Sequence, residues 1–188
     1  MAASVIVGIG GSNRAGSLTE RLLRHALARI AERGAEVVIF DGQFLSELPI
    51  FGADGPAGNS ASLAAAVSRA DGILLATPGY HGGLSGMVKN GLDHLEALRD
   101  DPRPYLDGRP VGTIVNAAGW QACGTALVSL RSTVHSLRGW PTPFGATVNS
   151  AEQVESAPGV FTDRVAGSLA VVADQVMDFV GGRLGGRR

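Results

Sequence analysis

Four stretches of this chain are apolar almost without interruption: Ser4 to Ile9, Glu36 to Phe40, Gly72 to Thr77 and Val111 to Ala117. A strand with one face in water alternates apolar and polar residues, because successive side chains point to opposite sides. A run without that alternation is buried on both faces, as in a parallel sheet covered by helices above and below. A fifth, weaker run covers Phe144 to Val148. Between the runs, apolar residues recur at helical spacing: Leu22, Leu23, Ala26, Leu27 and Ile30, then Leu127, Leu130, Val134 and Leu137, and last Val165, Leu169, Val172, Val176 and Phe179. This alternation predicts an α/β fold, a doubly wound five-stranded parallel sheet with helices on both faces. Residues 1–181 read as a single domain and 182–188 as a flexible basic tail, with Phe51 to Ser60 the one linker-like stretch.

The composition bounds what such a domain does. At 188 residues and 45% hydrophobic content the chain is long enough for one substantial core. A formal net charge of −1 argues against a protein held to nucleic acid or to a membrane surface by a basic field. Cys123 is the only cysteine, so an intrachain disulfide is impossible, and a small buried thiol is the expected role. No apolar run approaches the ~20 residues of a membrane span, and no leader pattern precedes the first strand, so a cytoplasmic protein is expected.

In a doubly wound sheet, ligands bind beyond the carboxyl ends of the strands, where the strand order reverses. Three loops fall there: Gly10 to Thr19, Pro78 to Ser85 and Ala117 to Gly124. The first, within "GIGGSNRAGSLTERLL", has glycines of a nucleotide-binding loop but matches neither common fingerprint. Asn13 stands where a dinucleotide loop needs its third glycine, although Asp41 ends the second run where a ribose-binding acid would sit. A P-loop would need a lysine, and this loop has none. It offers Ser12, Arg14, Ser17 and Thr19 immediately before a helix, and hydroxyls with helix N–H groups suit the oxygens of a phosphate monoester. The bland reading makes Ser17 an N-cap, with Glu20 three residues on completing a capping box. That reading leaves Ser12 and Arg14 unexplained.

The second loop, "TPGYHGGLSGMVKNGLDHLEAL", begins with Pro78, which is expected to stop the strand. Gly79, Gly82, Gly83 and Gly86 let backbone approach a flat ligand without interference from a Cβ. Tyr80 and His81 stand at the tip, His81 either a turn residue or a participant in chemistry. The helix that follows carries Met87, Val88, Leu92, Leu95 and Leu98 on a broad apolar stripe.

Together these stretches resemble the NADPH-dependent FMN reductase family of flavodoxin-like proteins. "GSNRAGS", Gly11 to Ser17, is similar to the family's GSxRxxS, and Pro78 to Asp93 is similar to its P-x-Y-[HN]-G-S-x-x-G-x-L-K-N-x-L-D. "LPIF", Leu48 to Phe51, falls where the family has a similar stretch. The resemblance implies that Ser12, Arg14, Ser17, Leu18 and Thr19 hold the FMN phosphate. It implies that Pro78, Gly79, Tyr80, His81, Gly82 and Gly83 line the isoalloxazine, with Gly119 and Trp120 of the third loop completing the pocket. It also implies a homodimer or homotetramer, with FMN and NADPH or NADH as cofactors. Gly79, Gly83 and Trp120 depart from the family's pattern: an indole at 120 suits stacking on the flavin, stacking on an aromatic substrate, or ordinary packing, and the opened loop points to altered substrate choice.

Hydride transfer between nicotinamide and flavin belongs to the cofactors and needs no proton-transfer triad, so no catalytic side chain and no metal are expected. His25, His94 and His135 lie on helical patterns. Three activities fit. One is an NAD(P)H:FMN oxidoreductase that supplies reduced flavin to a flavin-dependent monooxygenase. Another keeps FMN bound and reduces quinones, azo or nitro compounds. A third, a flavodoxin-type electron carrier, would dock through a strongly acidic face, which a charge of −1 disfavours.

Overall fold

The computed structural model describes residues 3–52 and 54–185. In chain order its elements are β1 (Val5–Gly10), α1 (Leu18–Glu32), β2 (Glu36–Phe40), α2 (Gly42–Glu47), α3 (Ser60–Arg69), β3 (Gly72–Tyr80), β4 (Gly83–Leu84) and α4 (Gly86–Asp93). A 3₁₀ segment (His94–Leu98) follows, then β5 (Pro110–Ala117), α5 (Trp120–Ser136), β6 (Trp140–Pro141), β7 (Ala146–Asn149), β8 (Glu155–Ala157), β9 (Val160–Phe161) and α6 (Asp163–Gly185). β2, β1, β3 and β5 lie side by side in parallel. β6 and β7 both pair in parallel with β5 and share the fifth rung. β4 folds back antiparallel on the end of β3. The sheet therefore holds seven strands in five parallel rungs, two more than the apolar runs predict.

Both-face burial explains those runs. Ile6, Leu74 and Ile114 face one layer, formed by α1 and α6 through Leu22, Leu23, Ala26, Ile30, Val165, Leu169, Val172 and Val176. Their neighbours Val7, Ile9, Ile73, Leu75, Val111 and Val115 face the other, formed by α3, α4, the 3₁₀ segment and α5. Among the described residues α6 alone has the length and apolar content of a membrane span, contrary to the expectation of no such stretch. Its buried stripe packs on the sheet and on α1. α6 also runs past residue 181 to Gly185, so the expected tail begins inside a helix and its last three residues lie outside the described residues.

The expected linker is part of the domain. Asn90 of α4 accepts from the Phe51 N–H at 2.7 Å and donates to the Pro49 carbonyl at 3.0 Å. Buried His94 donates from Nε2 to the same carbonyl at 2.9 Å and accepts from the Ala57 N–H at Nδ1. His94 is a structural clamp of the kind a buried, satisfied histidine usually is.

Candidate functional site

Register brings the three loops to one end of the sheet. Gly10 pairs with Ala76 and Pro78 with Asn116, so the residues after β1, β3 and β5 emerge side by side. The order reverses between β1 and β3, because β2 lies on one side of β1 and β3 on the other. Thr19, at the start of α1, donates its hydroxyl to Asn116 Oδ1 at 2.6 Å, which fixes the helix N-terminus against the end of β5.

The first loop is shaped by backbone contact. A Cβ on Gly10 (φ +154°) would stand 2.0 Å from the Ala76 carbonyl oxygen, and one on Gly42 1.9 Å from the Ser12 carbonyl oxygen. These glycines let β1 lie against β3 and let α2 rest on the loop; ligand approach is not what requires them. Ser17 caps α1, its Oγ accepting from the Glu20 N–H at 3.3 Å. The Glu20 carboxylate reaches the Gly16 N–H at 3.1 Å, one residue before the position a capping box requires. Asp41 caps α2 and pairs with Arg24 at 2.9 Å, so each of its oxygens serves the protein's own fold.

A phosphate monoester fits what remains. Ser12 Oγ accepts from the Arg14 N–H, as Ser17 Oγ does from Glu20, and each hydroxyl keeps its own proton to donate. The N–H groups of Leu18 and Thr19 open α1 and have no intrahelical acceptor. The Arg14 guanidinium is exposed and makes no ion pair among the described residues. Of Thr19 only the backbone N–H is left, since its hydroxyl serves Asn116.

The second loop corrects the expected stop at Pro78: β3 continues to Tyr80 and returns as β4, pairing Gly79 with Leu84 and Tyr80 with Gly83. His81 (φ +49°) and Gly82 (φ +83°) form the two-residue turn, both with the positive φ that a type I′ hairpin demands. Buried Thr77 anchors the hairpin, donating to the Pro78 carbonyl at 3.0 Å and accepting from the Ser85 N–H at 2.9 Å. A Cβ on Gly79 would come within 3.1 Å of both Ala117 and Ala126, so this glycine serves packing against α5. Gly83 and Gly86 have open space or ordinary contact instead, and Tyr80 is exposed at the tip.

In the third loop Gly119 (φ +107°) precedes α5, and its N–H donates to Asn149 Oδ1 at 2.8 Å. The Trp120 indole N–H donates to Glu152 at 2.6 Å, and the Arg164 guanidinium lies 5.3 Å over its ring. Both partners follow β7, on the far side of β5 from β3, so the indole edge turns away from the hairpin. Cys123 is buried below the loop, where desolvation raises its thiol pKa and makes it a poor nucleophile.

Sequence reasoning missed Thr77, Asn116, Asn149 and Glu152. Thr77 and Asn116 carried a signal, since each is a polar residue near the carboxyl end of an apolar run. Asn149 and Glu152 lie past the weakest run and carried none.

The strand order, with its reversal between β1 and β3, is that of a flavodoxin-like fold. Solved structures agree on the fold. The flavoenzyme NAD(P)H:(acceptor) oxidoreductase FerB from Paracoccus denitrificans superposes with a TM-score of 0.74 at 20% identity, over 94% of this chain and 99% of that one. The apo form of an NADH:FMN oxidoreductase (EMOB) gives 0.70 at 24%, over 96% and 90%. The family model for NADPH-dependent FMN reductase matches residues 5–154, and the chain belongs to that family. It is an oxidoreductase that uses FMN and NADPH. Curated relatives include an FMN-dependent NADPH-azoreductase of Staphylococcus haemolyticus, 29% identical over 92% of this chain and 93% of that protein. Another, from Staphylococcus aureus, is 31% identical over 80% of each.

Proposed function

We propose that the chain passes electrons from NADPH through bound FMN to a small flat acceptor such as an azo compound or a quinone. The observation that carries this reading is the set of donors at the start of α1: two serine protons, two backbone N–H groups and the exposed Arg14 guanidinium. Helix N-terminus, hydroxyls and cation together complement a dianionic phosphate. The relatives' description as FMN-dependent NADPH-azoreductases supports the acceptor class.

When bound, FMN supplies the redox chemistry, taking a hydride from the nicotinamide and handing two electrons to the acceptor. The chain's task is to hold the rings in reactive register. Ser12, Arg14, Ser17, Leu18 and Thr19 grip the phosphate. The hairpin from Pro78 to Gly83, pinned by Thr77 and backed by α5, gives the ring a fixed backbone edge. No side chain is assigned to proton transfer.

A second reading has reduced FMN leave for a monooxygenase partner, and residues 13–16 of the first loop are all exposed, a shallow grip that favours exchange. Steady-state oxidation of NADPH, and of NADH, is measured with an azo dye, with a quinone and with excess free FMN. Turnover of dye or quinone by FMN-loaded protein, without added FMN, supports the first reading; turnover only with free FMN supports the second. Neither activity leaves an electron carrier. The same proposal makes the chain a cytoplasmic homodimer or homotetramer, joined through the apolar groove of about 570 Å³ between α2 and α4. Leu45, Leu48 and Met87 line that groove, and Ile50, 91% exposed, stands at its rim.

A further inference from the structure

Trp120 of the third loop forms one hydrogen-bonded cluster with Asn149, Glu152 and Arg164, three side chains that the cofactor reading leaves without a task. One Glu152 oxygen accepts from the Trp120 indole N–H at 2.6 Å and from Asn149 Nδ2 at 3.1 Å. Its other oxygen accepts from Arg164 at 2.9 Å, while Asn149 Oδ1 accepts from the Gly119 and Ala151 N–H groups. Glu152 thus holds the indole along the ring plane, and Arg164 covers one ring face. Two constraints at right angles fix the ring. Yet Trp120 is 47% exposed, at the loop end of the sheet, with its polar N–H already satisfied.

A fixed, partly bare indole is costly to leave in water and suited to stacking. Aromatic rings gain from offset or edge contact, and a ring already immobilised loses little entropy when a ligand arrives. The cluster draws the indole toward the residues that follow β7, at the carboxyl end of the sheet where the three loops emerge. The paired charges of Glu152 and Arg164 leave little net field for a phosphate, which disfavours the nicotinamide nucleotide as occupant.

We propose that Trp120 is the stacking wall for a flat aromatic electron acceptor, and that Glu152 is the positioning residue that holds it. The proposal rests on the acceptor-reducing activity argued above. The test compares FMN-loaded wild type, Glu152→Ala, Glu152→Gln and Trp120→Phe, with methyl red as a flat acceptor and ferricyanide as one without an aromatic face. Glu152→Ala is expected to raise KM for methyl red about tenfold relative to KM for ferricyanide, the scale of one lost aromatic contact. Glu152→Gln keeps an oxygen for the indole N–H and should restore most of the difference; Trp120→Phe should fall between. An unchanged ratio of the two KM values overturns the proposal. So does a parallel loss of FMN affinity, or a rise in KM for NADPH alone. Protein that reduces neither acceptor defeats the activity, and dye binding then decides the wall separately. In a Trp140→Phe background, methyl red quenching of Trp120 emission that Glu152→Ala weakens upholds it, and absent quenching overturns it.

Discussion

Arg14, exposed, lies in the loop before α1 between two serines whose hydroxyls accept from backbone N–H groups and each keep a proton to donate. If that arrangement grips a phosphate, Arg14→Ala should weaken FMN by about 1.5–3 kcal/mol, the worth of a charge-assisted hydrogen bond. Riboflavin, which lacks the phosphate, should bind the variant as it binds wild type. Equal losses in fluorescence titrations of the two flavins would place Arg14 on the ring or the fold. Ser17 separates differently because its Oγ already caps the helix. Ser17→Ala should lower unfolding free energy by roughly 1 kcal/mol, as lost N-caps do, besides weakening FMN. Calorimetry on the free protein isolates the first effect. At this scale what the sequence offers is residue type: Ser12, Arg14 and Ser17 suit an anion before a helix, while the Ser17 cap and the contact of Ser12 with the Arg14 N–H belong to the structure. At Asp41, which ends the second run where a ribose-binding acid would sit, the oxygens serve α2 and Arg24.

The hairpin shows how an element escapes a residue rule. Proline ends many strands because it cannot donate, but Pro78 keeps its place beside Asn116 and the chain turns back only after Tyr80. The turn chemistry at His81 and Gly82 outweighs the missing donor. Asparagine is the residue that adopts positive φ most readily after glycine, so His81→Asn should raise the melting temperature slightly and keep turnover within about tenfold. Loss of turnover by orders of magnitude with FMN still bound would reveal a proton-transfer role for His81. Other differences have similar local causes. α2 spans six residues, too short to show a period. The fifth rung is broken at 142–145: Phe144 N–H donates to Gln175, and Arg131 donates to the carbonyls of Thr142 and Pro143.

Across the whole molecule, α1 and α6 are tied by charge as well as by packing. Arg29 and Arg33 both pair with Asp174, and Arg33 also reaches Asp178. The hydrogen bond from Arg29, opposed in part by desolvation, holds the Asp174 carboxyl below its ordinary range. A lowered folded pKa contributes stability above the unfolded value, near 3.9, that is lost as pH falls through the folded one. Melting temperature should therefore drop below about pH 4, and Asp174→Asn should flatten that drop while lowering stability at neutral pH. Assembly is tested at the same scale. Light scattering at micromolar protein should report a dimer or tetramer, and Ile50→Asp, at the rim of the α2–α4 groove, should shift it toward monomer. A fully active wild-type monomer would remove the oligomer. The layered fold was legible because both-face burial writes itself into continuous apolar runs. Ties such as Thr19 to Asn116 and Trp120 to Glu152 were not, because they join residues 97 and 32 positions apart through single polar atoms.

Gly42 touches no ligand-binding group through a side chain, yet its Cα stands where any Cβ would strike the Ser12 carbonyl. A saturation screen scored on flavin-dependent growth would find this position as intolerant as the phosphate loop itself. Read without the backbone, such a map would enrol Gly42 as a cofactor contact. Its tell-tale would be a uniform penalty: alanine would fail as badly as tryptophan, since the first carbon of any side chain is already too much.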